Sequence, residues 1–171
     1  MQPRDLVSLQ PFYGLTEADA ESICSKLREL SFGPNDVILQ EGDGTQALWM
    51  VLSGEVTVSR NHDEQERILA VLNAGDLFGE MSFVRQAPHS ASIIAVQSVK
   101  VACFDRQDFL TLAAHRPDAG IQILSNIAAV LSERLRRMDT WVCDLFERPD
   151  SEVYRDEWQV FRSAVYTNWE F

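Results

Sequence analysis

The sequence predicts an α+β protein: an antiparallel β-roll of about eight strands, of the jelly-roll type, flanked by helices. Three successive patterns along the 171 residues indicate this fold. A short helical period comes first, glycine-punctuated β-rich runs follow, and a long helical period begins after Pro117. We expect a roll with its N-terminal helix over residues 1–116, a long dimerisation helix over 117–148 and a short tail helix over 149–171.

The first helical pattern covers residues 16–30, "TEADAESICSKLREL". Ile23, Leu27 and Leu30 stand at helical spacing, behind Thr16 and an acidic first turn. A threonine before an acidic turn is typical of a capped helix start. The pattern therefore predicts a short amphipathic helix from Thr16 to Leu30.

The β-rich part consists of short runs such as "ALWMVLSGEVTVSR" and "ASIIAVQSVKVACFDRQDF", separated by glycines. Such spacing is typical of antiparallel strands joined by turns. Two of the turns, "EGDGT" and "NAGDLFGE", each place a Gly-Asp pair between strands. We interpret the first of these as a tight turn only. The punctuating glycines are Gly42, Gly44, Gly54, Gly75 and Gly79.

After Pro117, apolar residues recur at alternating steps of three and four, which is a heptad pattern. This pattern predicts a long helix and a parallel homodimer. A second apolar set, Ile123, Ile127 and Val130, lies off this seam, and we expect it to pack on the roll. In the alternative, the seam itself packs on the core of its own chain. The seam consists of Ile121, Leu124, Ala128, Leu131, Leu135, Met138, Val142 and Leu145, and dimerisation is assigned to its last five members.

Pro149 interrupts the long helix, and a second helical pattern closes the chain. Its apolar positions are mostly aromatic: Tyr154, Trp158, Phe161, Val165 and Trp169. We expect a short aromatic-faced helix that docks on the roll or on the other subunit. An exposed role in binding another protein is the alternative.

Composition narrows the classes of function. The chain is 46% hydrophobic and 24% charged, as in ordinary globular proteins. No apolar run approaches the ~20 residues that span a bilayer, and Asp5 and Gln10 interrupt any signal-peptide core. We expect a cytoplasmic protein. Fifteen Lys and Arg against 26 Asp and Glu give a net charge of −11, which disfavours direct nucleic-acid and membrane partners.

Chemical motifs are equally informative. Cys24, Cys103 and Cys143 are odd in number and widely spaced, so the sequence predicts neither a disulfide framework nor a metal site. The chain has no GxSxG elbow, no HExxH and no P-loop. We therefore expect no catalytic residues and no required cofactor.

The helix, a roll containing "GEVTV" and "AGDLFGEMSF", and the long heptad helix together resemble the cyclic nucleotide-binding domain family. The family includes the sensor half of catabolite activator protein and the regulatory domains of the cyclic-AMP-dependent kinase. The resemblance covers roughly residues 6–147. It implies a phosphate-binding cassette beginning at residues 78–83, "FGEMSF", with cAMP or cGMP as the ligand.

The cassette resemblance implies a role for each matching residue. Gly79 lets the chain turn close to the ligand, and the following amides, through Met81 and Ser82, open a short helix facing the phosphate. Glu80 would accept the hydrogen bond of the ribose 2′-hydroxyl. In the second half, "PHSAS", His89 stands where the family keeps an arginine, and Ser90 and Ser92 supply hydroxyls nearby.

This replacement matters because arginine grips two phosphate oxygens at once and a single imidazole does not. Losing a charge-assisted contact of about 1.5 to 3 kcal/mol weakens binding roughly ten- to a hundredfold. Three interpretations stay open. In the first, a protonated His89 holds a cyclic phosphate with the help of the amides of residues 79–82 and the hydroxyls of Ser90 and Ser92, and Arg85 is a further candidate contact. In the second, the pocket takes another small anion or a differently shaped nucleotide. In the third, the fold is a dimeric scaffold for protein interaction and its pocket is empty.

Among these, we expect a stand-alone sensor or regulatory module. We expect it to bind a cyclic nucleotide, with an affinity weakened by the replacement of the arginine by His89. We expect it to signal through its dimer helix to an unidentified downstream protein.

Overall fold

The computed structural model describes residues 1–62 and 65–146, so the predicted tail helix over 149–171 lies outside the described residues. Eight antiparallel strands form two four-stranded sheets, ordered β1-β8-β3-β6 and β2-β7-β4-β5. The predicted antiparallel roll of about eight strands is thereby confirmed. The strands are β1 Arg28–Phe32, β2 Val37–Leu39, β3 Ala47–Ser53, β4 Glu55–His62, β5 Gln65–Asn73, β6 Leu77–Phe78, β7 Ser92–Ala95 and β8 Val99–Asp105.

A hydrophobic core joins residues of both sheets. Alternate residues of a strand point to the same face, so a strand that lines the core contributes every second side chain. In β3 these are Ala47, Trp49 and Val51, and in β8 they begin with Val99 and Val101. The second sheet adds Leu39, Val56, Ile93 and Ala95.

The remaining residues at the start of β3, Leu48 and Met50, are also buried, so this strand is covered on both faces. Aromatic contacts link the sheet to the N-terminal segment: the ring centroids of Phe12 and Phe104 lie 6.1 Å apart in an edge arrangement. The helices are α1 Pro3–Leu6, α2 Glu17–Cys24, α3 Glu80–Arg85, α4 Arg106–His115 and α5 Pro117–Phe146, with a 3₁₀ turn at Gln10–Phe12.

The predicted cap of the first amphipathic helix is present, but its predicted end is wrong. Thr16 Oγ1 accepts from the amide of Asp19 at 3.2 Å, and the Asp19 carboxylate accepts from the amide of Thr16. Helix α2 ends at Cys24, however, and Leu30 belongs to strand β1. Strand β1 pairs with β8 over its whole length, and this long-range pairing overrides the helical spacing of the local sequence.

The long helix predicted over 117–148 runs from Pro117 to Phe146. Its two apolar sets differ in exposure. The off-seam residues Ile123, Ile127 and Val130 are buried. Five seam residues are exposed: the small Ala128 and four large ones, by 64% at Ile121, 42% at Leu124, 43% at Leu135 and 49% at Met138. The side chains of Val142 and Leu145 lie outside the described residues.

The chain divides into two compact units, Met1–Ile127 and Ala128–Phe171, so the first turns of α5 belong to the same unit as the roll. Within residues 1–62 and 65–146, no helix is long and apolar enough to cross a membrane, and no three acidic, His or Cys side chains group as metal ligands. Cys24, Cys103 and Cys143 are free thiols. Burial raises the pKa of Cys103 to about 11, which makes that thiol a poor nucleophile near pH 7.

Candidate functional site

Gly79 starts the short helix of the cassette and is required there for two reasons. Its φ is +75°, in the left-handed region that side chains disfavour. A Cβ at this position would also lie 2.9 Å from the carbonyl oxygen of Ala47 and 2.9 Å from Cδ1 of Trp49. The turn therefore packs against strand β3 only because residue 79 has no side chain.

Ser82 and the carbonyl of Gly79 close this turn. The buried Ser82 hydroxyl donates to the Gly79 oxygen at 3.0 Å. The amide of Phe83 donates to the same oxygen at 3.0 Å, as the first helical hydrogen bond. The hydrogen of the Ser82 hydroxyl is thus committed, and its oxygen is left to act as an acceptor.

One ring nitrogen of His89 contacts the Ser82 hydroxyl oxygen, and the other contacts the hydroxyl of Thr45. Its side chain is buried, with 6% of its surface exposed. Nδ1 lies 3.0 Å from Ser82 Oγ, and Nε2 lies 2.5 Å from Thr45 Oγ1. Because Ser82 donates to Gly79, Nδ1 carries a proton and donates to Ser82 Oγ, and in the neutral ring Nε2 then accepts from the Thr45 hydroxyl. The result is a continuous chain of donors from Thr45 through His89 and Ser82 to the backbone.

This series of hydrogen bonds is the one that a neutral imidazole makes. Burial lowers the pKa of His89 below its ordinary value, and the carboxylate of Asp43 opposes that shift. Within the described part of the chain, no lysine or arginine side chain bonds to the ring, and Arg85 is exposed at the C-terminal end of α3. A cationic His89, as one sequence interpretation requires, would have to gain a proton at Nε2.

The turn before β3, interpreted from the sequence as a tight turn only, is part of this site. The amide of Gly42 donates to the carbonyl of His89 at 2.9 Å, and the amide of His89 donates to the carbonyl of Asp43 at 2.8 Å. The Ser92 hydroxyl oxygen accepts from the amide of Glu41 at 3.0 Å and from the Gln40 amide group at 3.2 Å. The turn therefore holds both ends of the "HSAS" segment.

The other predicted residues divide between buried and exposed positions. Glu80 is buried, with 5% exposure, at the first position of α3. Met81 is 57% exposed, and the Ser90 hydroxyl lies 3.7 Å from its sulfur. The structure thus brings Gly79, Ser82 and His89 together, and separately pairs Met81 with Ser90.

Several residues that support the site were not predicted from the sequence, and Thr45 and Arg106 are two of them. Thr45 lies 44 positions before His89, and no local pattern connects the two. Arg106, the first residue of α4, holds the other end of α3: its Nε donates to the Phe83 carbonyl at 2.9 Å. With its amide oxygen turned toward Arg106, Gln86 accepts from both terminal guanidinium nitrogens, at 2.7 and 2.8 Å.

The roll and the cassette define the class of protein. The family model for the cyclic nucleotide-binding domain matches residues 29–116, a range that contains all eight strands except the first residue of β1. This chain belongs to the cyclic nucleotide-binding domain family.

Individual relatives agree with this assignment. The chain is 36% identical over 129 residues to the cyclic AMP receptor protein of Thermus thermophilus, an overlap of 75% of this chain and 58% of that protein. A crystal structure of a cyclic nucleotide-binding domain from Methylobacillus flagellatus superimposes with a TM-score of 0.71 at 26% identity, covering 80% of this chain and 77% of that one. The co-crystal of the Toxoplasma gondii PKA regulatory domain with cAMP gives 0.60 at 28% identity, covering 65% and 42%.

The chain therefore spans less than two thirds of the Thermus receptor's length. The similarity concerns the domain that holds the cassette.

Proposed function

We propose that this chain is a non-enzymatic regulatory module that binds cAMP or cGMP at its cassette. The observation that carries the proposal is the closed turn at Gly79, followed at once by the buried carboxylate of Glu80. By family resemblance these are the residues that approach the cyclic phosphate and the ribose. Relatives described as a cyclic AMP receptor and as a kinase regulatory domain crystallised with cAMP support the same ligand class.

The ligand site comprises Gly79, Glu80, Met81, Ser82, His89, Ser90 and Ser92. His89 takes the place of a permanently charged arginine, and its ring is neutral in the hydrogen-bond chain described above. A charge-assisted hydrogen bond contributes about 1.5 to 3 kcal/mol. We therefore expect binding roughly ten- to a hundredfold weaker than an arginine at this position would give.

The module transmits ligand binding through a homodimer that is formed by α5. Its seam residues Ile121, Leu124, Leu135 and Met138 are exposed, although they follow the heptad spacing of a coiled coil. A helix whose heptad positions face solvent in one chain is suited to pairing with the same helix of a second copy. Ligand binding would act on this dimer and through it on a downstream protein partner, to the extent that the nucleotide binds the two states of the dimer differently.

Isothermal titration of cAMP and cGMP into the purified chain tests the ligand. We expect saturable binding at neutral pH and an affinity increase of roughly tenfold or more in a His89→Arg variant, because the arginine restores the charged contact. A Glu80→Gln variant keeps the shape of the side chain and removes its charge. We expect it to weaken binding, since the carboxylate accepts from the ribose hydroxyl.

Two outcomes would contradict this proposal. If neither the native chain nor His89→Arg binds either nucleotide, the cassette does not take a cyclic phosphate, and an empty scaffold or another ligand becomes the better account. If both bind and Glu80→Gln binds equally well, the carboxylate does not contact the ribose.

A further inference from the structure

The two nitrogens of His89 have unequal surroundings. Nδ1 faces Ser82, whose side chain is buried, whereas Nε2 faces Thr45, which is exposed. The inner nitrogen is therefore fixed as a donor by the committed hydroxyl of Ser82, which already donates to Gly79. The outer nitrogen is the one whose protonation state can change, and Thr45 is the group in contact with it.

A neutral His89 ring with its proton on Nδ1 is a poor binding partner for an anion at Nε2. Its Nε2 presents a lone pair, and a phosphate oxygen brought toward it would meet an acceptor with an acceptor. Once protonated, the same nitrogen becomes a charged donor, which is the stronger kind of partner for a phosphate. While the ring is neutral, the Thr45 hydroxyl donates to this lone pair and stabilises the neutral form. The hydroxyl can also turn and accept from a protonated Nε2, but the charged phosphate is the stronger acceptor for that hydrogen.

We propose that Thr45 is a positioning residue that makes nucleotide binding proton-coupled: the cyclic phosphate displaces the Thr45 hydroxyl from His89 Nε2, and the ring takes up one proton from solvent and donates Nε2–H to a phosphate oxygen. This inference rests on the proposed ligand class and adds a residue and a mechanism to it. The ring gains one positive charge, the phosphate keeps its negative charge, and the Thr45 proton stays on its own oxygen.

The charged groups on the elements that contact His89 are few. On the turn before Thr45 they are Asp43, whose carboxylate favours a protonated ring, and Glu41, which accepts from Arg60 at 3.2 Å. On helix α3 they are the buried Glu80 and the exposed Arg85. Burial disfavours the charged ring, and the bound phosphate supplies the opposite charge that offsets this effect.

Proton uptake on binding provides the test. Titration of cAMP at one pH in two buffers of different ionisation enthalpy gives the number of protons taken up per nucleotide. At pH 7.5 we expect close to one proton for the native chain, and an affinity that rises about tenfold for each unit by which the pH is lowered toward the pKa of the free ring. His89→Arg should bind with no uptake, because its guanidinium is always charged.

Variants of Thr45 separate its role from general packing. Thr45→Val keeps the size of the side chain and removes the hydroxyl, so the ring is easier to protonate before binding. At about pH 6.5, the ordinary pKa of histidine, more of the variant's free rings already carry the proton, and we expect less proton uptake and a flatter dependence of affinity on pH than in the native chain. Thr45→Ser restores the hydroxyl and should restore the native uptake. A purely structural role for Thr45 would change affinity without changing uptake.

The results distinguish this inference from the proposed function. Binding by the native chain without proton uptake, or equal uptake in Thr45→Val at about pH 6.5, overturns the inference and leaves the ligand class intact. No binding by the native chain or by His89→Arg overturns both. A second measurement needs no ligand: in NMR titrations of the His89 ring, Thr45→Val should raise its pKa relative to Thr45→Ser, and equal values would overturn the role of Thr45.

Discussion

The indole of Trp49 and the backbone of Gly79 are in closer contact than any side chain at residue 79 would allow. A Cβ there would lie 2.9 Å from Cδ1 of Trp49, and the same indole stacks on Phe78, with ring centroids 5.9 Å apart and planes inclined by 14°. Strand β3 and the strand that leads into the cassette thus fix the position at which α3 begins.

We predict that Gly79→Ala destabilises the protein by about 2 kcal/mol or more. Placing a side chain in the left-handed region costs about 1–2 kcal/mol, and the contact with the carbonyl oxygen of Ala47, which is backbone and not free to move aside, adds to this cost. Urea unfolding of the two proteins, followed by far-UV circular dichroism, measures the difference in the free energy of unfolding.

Gly75→Ala is the matched control. Gly75 also has a positive φ, of +97°, but a Cβ at this position would meet nothing within 4 Å. Its substitution should therefore show the conformational cost alone. Equal losses of stability in the two variants would mean that the close approach of residue 79 to β3 is not important.

Some features of the fold were predictable because local patterns specify them. Thr16, followed by an acidic turn, indicates the start of a helix, and that capping box is present. Likewise, the β-rich run that contains Val99 and Val101 forms strand β8. The glycine turns marked the strand ends for the same reason, since a positive φ is a local requirement.

Other features depend on contacts between distant parts of the chain, and the sequence did not reveal them. Leu30 fits a helical spacing, but it pairs with Val101 in the sheet. Thr45 looks like a turn residue, and only the fold brings it to His89. The same limit applies to the protonation state of His89, because its burial and both of its partners arise from tertiary structure.

We predict that Leu135→Asp converts the proposed dimer to a monomer. Leu135 is 43% exposed in the single chain and occupies a heptad position of α5. A carboxylate placed in the apolar seam of a coiled coil would be buried without a partner, which strongly opposes association. Sedimentation equilibrium measures the mass directly.

Ala129→Asp adds the same charge to an exposed position of α5 that lies off the seam. This control should keep the mass of the native protein. A Leu135→Asp protein with the same mass as Ala129→Asp would show that α5 does not form the dimer interface. Loss of the dimer in both variants would point to added negative charge on α5 as the cause.

The last prediction concerns pH and stability. Burial holds the pKa of His89 in the folded protein below its ordinary value. As the pH falls below about 6.5, the unfolded chain binds a proton at this residue while the folded chain does not, so the free energy of unfolding decreases. The slope is at most about 1.4 kcal/mol per pH unit, and it ends once the pH passes below the pKa of the folded ring.

His89→Gln removes this titration while other groups continue to titrate in both proteins. The stability of the native chain minus that of the variant should therefore be constant well above the ordinary pKa of histidine and fall as the pH drops below about 6.5. Urea unfolding at several pH values measures this difference. A difference that stays constant with pH would contradict the neutral, buried ring, and one that grows as the pH falls would mean that the folded protein already favours a charged His89.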